Sequence, residues 1–357
     1  MKWFWYAIVQ NRNFGLSNPP LSKTGTDIIN RLFSNYMRAI VCKKYGPPEV
    51  LLFKEVAIPM PKDNEMLIRI FATAVNSADW RLRKADPWAV RLFFGFTKPK
   101  KPILGGVFSG QIEVVGKNVT RFKVGDQVFG SAGMSFGAYA EYKCLPQDGV
   151  LAIKPNNISH IEAGTIPFGG TKALHFLKKA NIKVGQKVLI YGASGAIGTA
   201  AVQLARYFGA EVTAVCSTSN LQMVKSIGAD KVIDYKKEDF TRNGEAYDVI
   251  FETVNKLPFS DSIKSLKPQG ILILGASGIS QMLQGVWHSM TGSKKVISGV
   301  MSESADDIIF IKKLIEKGHY KAVVDRAYPL EKMVEAHRYV EKGHKKGNVA
   351  ITIAEIK

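Results

Sequence analysis

The sequence predicts an α/β protein of two units, a mainly β unit followed by a doubly wound parallel sheet with helices on both faces. Three observations predict it. The chain of 357 residues exceeds one ordinary core and suits two domains of roughly 150 to 180 residues each. From Met37 to about Asn157, short apolar runs are broken at regular spacing by Gly and Pro, the mark of strands and turns. Beyond Ser159, strands that are apolar throughout alternate with helical patterns, as in a parallel sheet covered on both sides.

Taken in order, residues 1–36 open with Lys2 and the apolar run Trp3 to Val9, then turn polar and reach Ser17-Asn18-Pro19-Pro20. Seven apolar residues are few for a secretory signal and no clear small-residue cleavage site follows, so an extension outside the fold is expected, with a short interfacial or targeting segment as the alternative. Met37 to Val41, Met66 to Ile70, Gly110 to Gly116 and Gly125 to Gly130 read as strands of a first unit, 37–157. The second unit, 158–302, has a helix from Ile161 to Ala180, the strand Lys187 to Tyr191, and a helix from Ala196 to Phe208 ended by Gly209. A strand Glu211 to Cys216, a helix Leu221 to Ile227, and strands Lys231 to Asp234, Tyr247 to Phe251 and Gly270 to Leu274 continue it. Residues 303–357 carry two more helices and a last strand, Val349 to Ile353, expected to return to the first unit.

Composition narrows the function. Hydrophobic residues at 46% and charged residues at 22% exclude a disordered or fibrous chain, and no run of about 20 apolar residues is present to span a membrane. Cys42, Cys144 and Cys216 are far apart, so neither a disulfide framework nor a multi-cysteine zinc module is expected, and a reducing, cytoplasmic location is. The net charge of +19 would attract polyanions, but its densest groups, Lys98 to Lys101 and Lys342 to Lys346, form no long basic run. Six scattered histidines show no ligand spacing.

The most informative residues are Gly192, Ala193, Ser194, Gly195, Ala196, Ile197 and Gly198, which follow a strand and open a helix. Glycines there permit a tight turn and close approach of a pyrophosphate, and the helix start offers free N–H groups to the anion, so a dinucleotide site is expected. An NAD site usually carries an acid at the end of the next strand. Here Cys216 is followed by Ser217, Thr218, Ser219 and Asn220, with no carboxylate to repel a 2′-phosphate and hydroxyls able to donate to one, which favours NADP(H).

Together with Tyr45 to Leu51, Val75 to Trp80, Phe122 to Gly130, Gly137 to Tyr142 and Pro167 to Thr171, this turn resembles the zinc-independent quinone oxidoreductase branch of the medium-chain dehydrogenase/reductase superfamily. The resemblance implies a GroES-like catalytic domain and a Rossmann cofactor domain. It also implies hydride transfer from NADPH to quinones or α,β-unsaturated carbonyls, with Thr171, Asn220 and Tyr235 joining the cofactor contacts. Zinc-dependent relatives have a cysteine where this chain has Asn76, and a His-Glu pair within Gly105 to Gly110, so no metal is expected. The resemblance places Asn76 beside the nicotinamide and the substrate carbonyl; Tyr45 and Trp80 are candidate walls of an apolar substrate pocket. This chain lacks the Lys or Arg that many NADPH-binding relatives have at Ser219 or Asn220, and it has Asn348 where many have Lys. Expected partners are a small electrophilic substrate and a second copy in a homodimer. The alternatives are a zinc-free carbonyl or alcohol dehydrogenase, or an NADPH-binding protein that binds RNA or a membrane surface.

Overall fold

The computed structural model describes residues 35–275, 293–299 and 301–354. The expected N-terminal extension therefore lies outside the described residues except at its end, where Tyr36 already belongs to strand β1 (Tyr36–Cys42) and pairs with Ala57 of β2 (Leu51–Ala57).

The first unit is a seven-stranded sheet. β3 (Glu65–Val75), β4 (Val107–Val115), β5 (Gln127–Ser131), β6 (Tyr142–Pro146) and β7 (Leu151–Ile153) come from the first half of the chain, and β14 (Val324–Pro329) and β15 (Asn348–Thr352) join from its far end. The order is β14-β15-β3-β4-β5-β7, with β6 also on β3. Two helices break the strand pattern, α1 (Ser77–Lys84) and α2 (Val90–Phe94). The core gathers Ile68, Ile70, Phe108, Ile112, Tyr139 and Val349.

The second unit is a six-stranded parallel sheet in the order β10-β9-β8-β11-β12-β13, built from β8 (Lys187–Tyr191), β9 (Glu211–Cys216), β10 (Lys231–Asp234), β11 (Tyr247–Glu252), β12 (Leu266–Leu274) and β13 (Lys295–Ile297). The order reverses beside β8, the position at which doubly wound sheets open a crevice at their carboxyl ends. Helix α4 (Ala196–Tyr207) follows β8, α5 (Leu221–Ser226) follows β9, and α6 (Phe259–Lys264) precedes β12.

Helix α3 (His160–Ala180) ties the units together. Ser159 starts it through a reciprocal cap, in which the Glu162 N–H donates to Ser159 Oγ (3.2 Å) and the Ser159 N–H donates to Glu162 Oε2 (2.8 Å). Its glycines permit close approach on both sides. A Cβ on Gly164 would lie 2.8 Å from the Ala72 carbonyl oxygen in β3, and one on Gly169 would lie 2.3 Å from the Ala196 oxygen at the start of α4.

Between residues 303 and 354 the chain touches both units before it joins the first sheet. Helix α7 (Ala305–Glu316) buries Ile308, Ile311, Leu314 and Ile315 in an apolar cluster that joins α3 and the parallel sheet to Phe129 of β5 and Ala152 of β7, and the chain enters the first sheet itself at β14. After β14 comes helix α8 (Met333–Glu341), then β15.

Candidate functional site

The glycine turn is held from three directions. Gly192 sits at φ +80°, and a Cβ there would lie 2.6 Å from Val254 Cγ1 and 2.7 Å from Thr253 Oγ1. The N–H groups of Gly192 and Ala193 both donate to the Val215 carbonyl. Gly198 abuts the turn so closely that a Cβ would lie 2.2 Å from the Gly192 oxygen. Gly195 differs: its φ is −82°, and a Cβ there would meet only the Gly192 oxygen at 3.6 Å, so the space in front of it is open. Ala196 and Ile197 turn their side chains inward, and they face the opening only with backbone. The open side of Gly195 and the unpaired N–H groups of the α4 start fit a dinucleotide pyrophosphate.

The other unit reaches this turn. Gly347 pairs with Gly195 as an isolated bridge, and its N–H donates to the Ser194 carbonyl (2.7 Å). Val349 of β15 is opposite Val75 of β3, so the register carried one step further sets Asn348 against Asn76. Both asparagines are buried, and both side-chain oxygens lack a hydrogen-bond partner. Asn76 starts α1, where its N–H donates to Asp79 Oδ2 (2.8 Å). Burial pushes the Asp79 carboxyl up to about 7, against the hydrogen bonds it accepts from Asn76, Tyr139 and Gly105. The Asn348 amide donates from Nδ2 to the Val323 carbonyl (3.2 Å), which fixes it beside the turn and leaves its oxygen unbonded.

Two lysines gain a meaning that the sequence did not give them, one from the basic group Lys342 to Lys346 and one on α3. Lys345 donates to the Gly347 carbonyl, and burial pushes its ammonium down to about 8 although Asp325 is near. Lys172, one residue past Thr171 on α3, is pushed down by burial and then by the positive charge of Arg81. A lysine among the small and apolar residues of α3 was the available signal for the second; the first stood out only as a member of a basic group, not for its contact with Gly347.

The adenosine end departs from the expectation in several places. Asp234, opposite Cys216 in the β9–β10 register, accepts a hydrogen bond from Thr218 Oγ1 (2.6 Å). That bond, first among its causes, holds the Asp234 carboxyl below the usual range, so a carboxylate does stand at this end and the Thr218 proton is committed to it. Asn220 is buried and its amide donates to Ser217 Oγ (3.1 Å), while its side-chain oxygen has no hydrogen-bond partner. Ser217 and the exposed Tyr235 remain on the rim. Thr171 is buried in α3, where its hydroxyl donates its proton to the Pro167 carbonyl (2.6 Å), an i−4 bond.

Tyr45 and Trp80 do not share a wall. Tyr45 lines a small pocket with Leu82, Phe94, Leu104 and Phe136, donates to the Gly95 carbonyl (2.7 Å) and lies under the Arg91 guanidinium (4.9 Å). Trp80 packs its ring on the sheet core, with Arg81 5.4 Å from the ring centre. Among the described residues no group of three His, Cys, Asp or Glu side chains is arranged to hold a metal ion, and no helix is long and apolar enough to cross a membrane.

The family models that match are the alcohol dehydrogenase GroES-like domain over residues 62–155 and a zinc-binding dehydrogenase model over residues 227–351. The chain is 31% identical to a chloroplastic quinone-oxidoreductase homolog of Spinacia oleracea, over 88% of this chain and 98% of that one. It is 28% identical to a chloroplastic NADPH-dependent alkenal/one oxidoreductase of Arabidopsis thaliana, over 88% of this chain and 79% of that one. The solved quinone oxidoreductase of Coxiella burnetii superposes with a TM-score of 0.81 at 27% identity, covering 89% of this chain and all of that one. With a GroES-like unit, a six-stranded parallel sheet and an open glycine turn between them, the chain belongs to the quinone-oxidoreductase-like medium-chain dehydrogenase/reductase family and is an oxidoreductase that uses a nicotinamide cofactor.

Proposed function

We propose that this oxidoreductase passes a hydride from NADPH to quinones or α,β-unsaturated carbonyls without zinc. The observation that carries the reading is Asn76, the N-cap of α1, buried at the junction with a side-chain oxygen that has no hydrogen-bond partner. A bound nicotinamide supplies the hydride. The chain's own residues do the rest. Gly195 leaves room for the pyrophosphate, and the start of α4 and the Lys345 ammonium meet its charge. The Asn76 amide, which can present either end by a half-turn of its last torsion, donates to the acceptor oxygen as negative charge grows there.

An amide in place of a thiolate ligand, with no converging set of metal ligands among the described residues, supports the zinc-free reading. The Arabidopsis relative's NADPH dependence supports the cofactor choice, as do Ser217, Tyr235 and the neighbouring Lys236 and Lys237. A homodimer in the reducing cytoplasm remains part of the proposal.

Steady-state oxidation of NADPH and NADH with a panel of quinones, enals, aldehydes and alcohols, before and after chelation, tests it. Activity should survive chelation, and Asn76→Ala should lower kcat by about 10²- to 10³-fold with NADPH affinity retained. Stoichiometric zinc that tracks activity, or turnover of alcohols alone, would replace the proposal with a dehydrogenase. Inertness to every acceptor while NADPH still binds would leave a binding protein.

A further inference from the structure

The segment around α2 presents an unusual surface. Trp88, Leu92, Phe93 and Phe96 are 58%, 59%, 75% and 65% exposed, although residues of these types are ordinarily covered. They form one platform rather than scattered side chains. The Trp88 and Phe96 rings meet edge to face at 5.9 Å, and Arg91 Nη1 donates to the Phe96 carbonyl (3.3 Å). Phe94 points the opposite way, into the Tyr45 pocket and against Phe136 at 5.6 Å, which anchors the platform to the body.

Cations border the apolar face. Gly95 turns the chain at φ +121°, and the Lys100 N–H donates to the Phe94 carbonyl (2.7 Å), so the exposed Lys98, Lys100 and Lys101 fold back beside the aromatic residues. From Pro87 to Ile112 the sequence has four Lys and Arg residues and no Asp or Glu. Aromatic and aliphatic side chains rimmed by lysines match the interface of an anionic bilayer: apolar groups enter the headgroup boundary and the ammonium groups meet lipid phosphates and carboxylates. A second copy of the chain is a poor occupant, because docking this face on itself would oppose the same cations.

We propose that the Trp88–Lys101 face docks this protein peripherally on anionic membranes. The inference is independent of the reductase chemistry, and its test reads binding rather than turnover.

The full chain is mixed with phosphatidylcholine vesicles that contain or lack phosphatidylserine, and the bound fraction is measured by co-sedimentation over a salt series. Binding is expected only with phosphatidylserine and should weaken as salt rises. The double variant Leu92→Ser, Phe93→Ser should bind at least about tenfold more weakly. Lys98→Glu and Lys100→Glu should each cost about fivefold. All four positions are exposed, so circular dichroism should show an unchanged fold. Equal sedimentation of variants and wild type would overturn the proposal and move the contact to another part of the chain. So would absence of wild-type binding, or a dimer in analytical ultracentrifugation that the double variant dissolves.

Discussion

At Gly195 a hydrogen atom where other residues carry Cβ decides whether an anion fits. Because its φ is ordinary and its Cβ direction is open, Gly195→Val should fold normally yet occupy the space in front of the helix start. Calorimetry should find dinucleotide affinity abolished with thermal stability close to wild type; retained affinity would remove the turn from the site. A like charge near a 2′-phosphate costs on the order of 1 to 3 kcal/mol, so Asp234→Asn should raise the preference for NADPH over NADH about tenfold. Ser217→Asp should move it the other way, and the ratio of kcat/KM for the two cofactors reads both. The turn was legible in sequence because its requirements are local: a strand end, glycines and a helix start. Asp234 was not, because its meeting with Thr218 comes from the pairing of two parallel strand ends 16 positions apart, which composition after Cys216 does not reveal. The commitment of Thr171 to Pro167 escaped for a related reason, since a hydroxyl's partner depends on the helix that contains it.

Secondary structure in the parallel unit was largely written in its apolar runs, and β8, β9 and β10 begin and end where the pattern changes. Edge strand β14 was not legible: its residues Val324 to Pro329 are half-buried or exposed and alternate too little to announce a strand. Helix α7 was recognised as a helix, but its destination depends on which core its stripe of Ile308, Ile311 and Ile315 meets. For α3, the prediction concerns spacing. Gly169→Ala would push a methyl against the backbone of Ala196, which cannot rotate aside, and should cost about 1 to 3 kcal/mol in chemical denaturation while also weakening dinucleotide binding. Gly164→Ala, which meets β3 backbone instead, should cost stability with less effect on the cofactor. Equal effects of the two on binding would mean that α3 acts as one rigid unit.

The whole molecule buries several groups whose protons respond to folding. Burial holds His337 down to about 3 and His160 down to about 4, from an ordinary 6.5, and lifts Asp79 from 3.8 to about 7. Between about pH 4 and 6.5 the unfolded chain takes up two histidine protons that the folded chain refuses, and the folded chain keeps one on Asp79 that the unfolded chain releases. The difference of one proton makes stability rise with pH by about 1.4 kcal/mol per unit in that window and level off near pH 7. His175, also lowered by burial, acts in the same sense. Urea midpoints across this range should follow that slope, and His337→Leu should nearly flatten it; a wild-type curve that falls with rising pH would show that Asp79 dominates. The pairing of Val75 with Val349 also has a consequence for synthesis. The strands of the parallel sheet are close together in sequence and can assemble as they leave the ribosome, whereas the Ala72 to Val75 end of β3, beyond its pairing with β6, waits with an open edge until residue 352 has been made. The nascent chain therefore carries its greatest exposure to aggregation late, and the glycine turn gains its Gly347 contact only in the final step of folding.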